Sequence, residues 1–145
     1  MSEIAGRQNM KATHPPIPMS YKPKIKAVRS GRCRQTIRKG SKYAVGQRRW
    51  IFAWSRKPYR STWAWKMLVE ITNVDEMEVD DDGVQLWPTA PFCDWSDSAV
   101  VDVARRDFID PPTGEELCAT LRRLHGKEWE GPYRIITWKP IEAAK

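Results

Sequence analysis

The chain has 145 residues and a mass of 16.8 kDa, with 41% hydrophobic residues and 8 Trp. That is enough apolar material for one packed domain and excludes a disordered chain. The formal charge of +7 comes from 25 Lys and Arg against 18 Asp and Glu. It is unevenly spread: after Glu3 no acid occurs until Glu70, so the first half is basic and the second acidic.

No apolar run reaches the roughly 18 to 20 residues of a membrane span, and no secretory leader is read, so a cytoplasmic location without membrane association is expected. Cys33, Cys93, Cys118, His14 and His125 give neither a disulfide framework nor a metal-ligand spacing, and no cofactor is expected. Cys118 and His125 could form a nucleophilic pair, but on one helix they lie about 10 Å apart along the axis. They read as a core thiol and a helix-end imidazole.

Residues 1–19, with Pro15, Pro16 and Pro18, predict a flexible arm; residues 20–145 predict the folded domain. A short helix runs from Pro23 through Val28 and stops at Gly31, with Lys22, Lys24 and Lys26 expected on its solvated face. A loop or short strand follows over residues 32–38. Residues 47–54 alternate Trp50, Phe52 and Trp54 against Arg49, Ile51 and Ala53, and residues 63–74 alternate Trp63, Trp65, Met67, Val69 and Ile71 against the rest. These are two strands of a hairpin with a basic tip. Trp50, Phe52, Trp65 and Trp138 are expected in the core.

Asp80-Asp81-Asp82-Gly83 predicts a turn into a strand over 84–87. A helix is expected over residues 96–106. Thr113-Gly114-Glu115-Glu116 is a capping box opening a helix that places Leu117, Leu121 and Leu124 on one face and ends at Gly126. Residues 133–138 predict a closing strand. The fold class is α+β.

The densest chemistry lies in residues 30–40, where Arg32, Arg34, Arg38 and Lys39 accompany Gln35 and Thr36. Guanidinium groups bind phosphate in a bidentate way, and Gln35 and Thr36 can read a base edge. The bland alternative is a solvated basic turn paired with the later acids.

This segment resembles the G-x-K-x-x-T-I-R signature of the ASCH domain family, a branch of the PUA-like β-barrels. Val45-Gly46-Gln47, then Asp107-Phe108 and Glu116-Leu117, and finally residues 133–138 fit the resemblance in order. It implies a small PUA-like β-barrel with flanking helices and a cleft beside the signature loop, and a bipolar surface rather than mutual cancellation of charge. The family is regarded mainly as RNA-binding. A minor branch hydrolyses N4-acylated cytidines with a lysine, a threonine and a downstream acid; the resemblance carries the threonine to Thr36 and the acid to Asp107, while Cys33 occupies the lysine position. Arginine cannot replace a lysine base. A Cys33 nucleophile, with its thiol lowered by the surrounding arginines, is the weaker catalytic option.

The leading expectation is therefore RNA or single-stranded nucleic-acid binding in a basic cleft, with room for one unstacked or modified nucleotide. The binding residues expected are Arg32, Arg34, Gln35, Thr36, Arg38, Lys39, Trp54, Arg56, Lys57, Tyr59, Arg60 and Trp63. The alternatives are an amidohydrolase using Thr36 and Asp107, and a protein-binding module for an acidic partner. The sequence leaves the oligomeric state open.

Overall fold

The computed structural model describes residues 12–19, 22–40, 42–53, 66–87 and 92–141. The expected hairpin tip, with Trp54, Arg56, Lys57, Tyr59, Arg60 and Trp63, lies outside them, as does Trp65.

Among the described residues the fold is α+β, built around a seven-stranded sheet. In order the elements are β1 (Ile17–Met19), α1 (Lys22–Arg29), β2 (Gln35–Arg38), β3 (Arg48–Ala53), β4 (Lys66–Asp80), β5 (Gly83–Trp87), β6 (Phe92–Cys93), α2 (Ser98–Arg106), α3 (Gly114–His125), a 3₁₀ turn (Gly126–Glu128) and β7 (Gly131–Pro140). The strand path is β1-β3-β4-β5-β6, with β7 pairing both β4 and β2. The pairing is branched and, among the described residues, does not close into a ring.

β4 and β7 form the long antiparallel ladder, with a register shift between Ile71 and Asn73. An extra residue reverses the in-out alternation of a strand. Before the shift, Met67, Val69 and Ile71 join Ile136 and Trp138 in one core cluster with Ala27 and Val28 of α1. After it, Met77 and Val79 join Tyr133 and Ile135 in a second cluster under α2 and α3. The two clusters lie on opposite faces of the sheet, one packed against α1 and the other against the later helices.

Three local expectations change. Ile17–Met19, assigned from sequence to the flexible arm, pairs in parallel with β3 and buries Ile17 and Met19. The proline-rich approach does not prevent this, because Pro18 lies on the exposed face of a three-residue strand. In β3 the buried face carries Ile51 and Arg49, and Trp50 is half-buried beneath the Lys66 ammonium at 4.6 Å. Ile51 lies opposite Ile17 and Met67, so pairing on both edges commits that face to the core. Arg49 tolerates burial because its guanidinium donates to Gln47 Oε1 and to the carbonyls of Pro15 and Lys42 and lies over the Tyr43 ring at 4.6 Å. Leu124, expected beside Leu117 and Leu121, is 58% exposed. Phe52 and Trp138 are buried as expected.

The helix ends follow local chemistry. Asp97 caps α2 by accepting from the Ala99 amide, and Thr113 caps α3 by accepting from the Glu116 amide at 3.1 Å. Glu116 does not complete the expected box; its carboxylate instead accepts from Arg123. Late acids pair with late bases in Arg122–Asp81, Arg134–Glu76 and Lys139–Glu70, whereas Lys24–Asp107 joins the two halves of the sequence. No helix among the described residues is long and apolar enough to cross a membrane.

Candidate functional site

β2 pairs β7 along one side only among the described residues, which leaves its other side to face α1 and the C-terminal end of α2. Thr36, opposite Ile136, shares the α1 side of the sheet, and Gln35 reaches α2 by donating to the Val103 carbonyl at 3.2 Å. Asp107 sits where these directions meet. It is the C-terminal cap of α2, and the following residues complete a Schellman turn: Phe108 N–H donates to the Arg105 carbonyl and Ile109 N–H to the Ala104 carbonyl. Phe108 therefore occupies, at φ 56°, a left-handed position that ordinarily favours glycine.

The carboxylate so placed accepts from Lys24 Nζ at 3.0 Å and from Gln35 Nε2 at 3.4 Å. Lys24 Nζ also donates to Thr36 Oγ1 at 3.2 Å, and Arg38 Nε donates to the same oxygen at 3.2 Å. Lys24, Thr36, Gln35 and Asp107 are all buried. Burial pushes the Asp107 carboxyl above the ordinary carboxylate value, against the lowering by Lys24, Gln35 and Arg38. Burial lowers the Arg38 guanidinium, opposed by Tyr43 and Asp107, yet a guanidinium keeps its proton.

This group lines a cavity of about 210 Å³ whose apolar wall includes Met19, Ile109 and Leu121, with His125 at its side. His125 is held below its usual value by burial and then by Lys39 and Arg38. Its imidazole meets Tyr133 edge-on at 5.3 Å.

Lys24 corrects the expectation of a solvated lysine face. It lies three and four positions before Ala27 and Val28, both buried, so the helical period itself carries it inward, while Lys26 is exposed. The signal was present in the spacing, and lysine's usual exposure outweighed it. Lys24 places an amine beside both Thr36 and Asp107. Cys33 is fully buried, lies near the carbonyls of Gln35 and Arg106, and has its thiol pushed up by burial, not lowered as a nucleophile requires.

The other expected binding residues divide. Thr36 and Arg38 line this cavity, whereas Arg32, Arg34 and Gln35 line a second one of about 380 Å³ with Arg105, Arg106 and Phe108. Lys39 belongs to neither: its ammonium donates to the carbonyls of Glu128 and Glu130 and lies over the Tyr133 ring. The chain matches no family model, no curated protein and no solved structure.

Proposed function

We propose that this is an ASCH-like domain, its bent sheet an open relative of the PUA-like barrel, and that its first cavity hydrolyses the acyl amide of N4-acylated cytidine-type substrates. One observation carries the reading: Lys24 stands within hydrogen-bonding distance of both Thr36 and Asp107 at the wall of a cavity. The resemblance asks for a lysine, a threonine and an acid, and Lys24 supplies from α1 what the signature loop lacks.

A lysine acts as a base only as the free amine. Desolvation raises the proton affinity of Asp107, so its carboxylate can take a proton from Lys24 across the 3.0 Å contact as Thr36 is deprotonated. The amine then takes the Thr36 hydroxyl proton as Oγ1 bonds to the amide carbonyl carbon and the carbonyl electron pair moves onto oxygen. Arg38, already donating to Oγ1, stabilises negative charge developing there. Collapse breaks the C–N bond, and the Lys24 ammonium protonates the departing exocyclic nitrogen. Water, deprotonated by the same amine, cleaves the acyl–Thr36 ester and restores the hydroxyl. His125, neutral at physiological pH, offers the base a hydrogen-bonding edge beside the apolar wall.

The test is turnover of N4-acetylcytidine to cytidine and acetate, with Thr36→Val and Lys24→Met each reducing the rate by roughly a hundredfold or more. Absence of turnover with nucleoside and oligonucleotide substrates, or full activity in either variant, overturns the reading.

Nucleic-acid binding is the second reading, and a separate observation favours it. Arg32 and Arg34 are exposed, make no ion pair among the described residues, and line the second cavity with two further arginines. A basic surface of this kind supplies phosphate affinity without base discrimination.

A further inference from the structure

The second cavity holds one group that a merely basic surface does not explain. Gln35 is 3% exposed, and its amide nitrogen is committed to Val103 and Asp107, both of which accept. Those partners fix the orientation of the amide and leave Oε1 as a buried acceptor with no hydrogen-bond partner among the described residues. A buried carbonyl left unpaired destabilises the fold unless a ligand or water satisfies it. Gln35 lines the same cavity as Arg32, Arg34, Arg105 and Arg106, with Phe108 contributing an aromatic wall.

The arginines are available for an anion. Arg32 and Arg34 spend their Nε donors on Ser30 and on the Gly31 carbonyl, and Arg105 and Arg106 share the single carboxylate of Asp102 at 3.7 and 3.2 Å. The site therefore keeps an excess of positive charge, four guanidinium groups against one carboxylate. Its volume, about 380 Å³, falls within the roughly 300 to 1,000 Å³ of small-molecule sites. Phe108 is held on this wall by the left-handed turn that closes α2.

We propose that this cavity binds a single nucleotide unit, its phosphate held by the arginines and an N–H of its base donated to Gln35 Oε1 beside Phe108. The inference rests on the phosphate chemistry of the nucleic-acid reading and narrows it from a continuous basic cleft to one nucleotide pocket. It is independent of hydrolysis in the first cavity. Gln35 also donates to Asp107, so an occupant here adjoins the hydrogen-bond network of the proposed catalytic pair.

The experiment is calorimetric titration of the full chain with four probes: cytidine 5′-monophosphate, its N4,N4-dimethyl analogue, inorganic phosphate and a short oligocytidylate. Cytidine 5′-monophosphate is expected to bind; the dimethyl analogue, which has no exocyclic N–H, is expected to bind about tenfold more weakly, and inorganic phosphate more weakly still. Arg34→Ala combined with Arg106→Ala should abolish nucleotide binding, while Arg122→Ala, whose guanidinium lies outside this cavity and pairs with Asp81, should leave it unchanged. Equal binding of the two nucleotides, or of nucleotide and phosphate, overturns the base contact. Binding of the oligonucleotide without the mononucleotide overturns the pocket and leaves the nucleic-acid reading standing. Binding of neither overturns both.

Discussion

Lys24 and Asp107 are separated by 83 positions in sequence and meet at 3.0 Å, both almost wholly withdrawn from solvent. The contact ties α1 to the end of α2 past the side of β2 turned away from β7. Breaking a buried pair by removing one partner typically costs 3 to 5 kcal/mol because the other charge is stranded. Asp107 keeps the Gln35 hydrogen bond and can accept a proton, which places Lys24→Met near the lower end, about 3 kcal/mol by urea unfolding. The stranded carboxyl is costly only while ionised, so the deficit relative to wild type should shrink as pH falls through the acid range. A deficit that is constant with pH would mean that lost packing, not charge, dominates. Lys24→Met with Asp107→Leu should recover part of the loss.

The three cysteines should differ in reactivity. Cys33 and Cys93 are buried and Cys118 is partly exposed, and burial raises all three thiols. Alkylation under native conditions should label Cys118 first, with Cys33 reacting only at the rate of unfolding. Cys33→Ala should retain turnover of the acylated substrate. Rapid native labelling of Cys33 would restore it as a candidate nucleophile.

Tyr133 gives an alkaline prediction. Its hydroxyl donates to the Trp129 carbonyl at 2.6 Å, and burial, with a smaller contribution from the Cys118 thiolate, pushes the phenol from 10.0 up to about 12. An acid raised in the folded state holds its proton there while the unfolded chain loses it. Stability from this group is therefore full below pH 10 and declines as pH rises toward 12. Tyr133→Phe removes the titration and should flatten that part of the stability curve relative to wild type, at a cost near 1 kcal/mol at neutral pH for the lost hydrogen bond. Parallel alkaline profiles for the two proteins would contradict it.

What the sequence discloses follows the range of the interactions involved. The Thr113 cap, the Gly83 turn and the existence of β7, though not its full extent, are local and readable. Thr36 and Asp107 were named through the resemblance, and the structure brings them to one lysine. On β3 the expectation failed at Arg49 and Trp50 but not at Phe52, because period two marks two faces without saying which positions the neighbouring elements bury; β1, hidden in a proline-rich segment, covers the Ile51 side. Phe108 shows the same limit: nothing in Asp107-Phe108 marks the left-handed turn that a glycine would have announced.

Gly114, the first residue of α3, seats the helix against the Trp95 backbone. A Cβ added at Gly114 would stand 1.7 Å from the Trp95 carbonyl oxygen and 3.0 Å from Val100 Cγ1. The first contact is backbone, which no rotamer change relieves, so Gly114→Ala must push the start of α3 away from the segment that leads into α2. Overpacking commonly costs 1 to 3 kcal/mol, and a rigid partner sets the expectation here at about 3 kcal/mol, against which alanine's better helix propensity returns at most about 1. Leu117 and Leu121 follow on the displaced helix and also line the first cavity. Thermal unfolding of Gly114→Ala should therefore show a lowered midpoint, and N4-acetylcytidine turnover should fall in the protein that remains folded. An unchanged midpoint would mean that α3 can shift without loss, and that its contact with Trp95 does not hold the cavity wall in place.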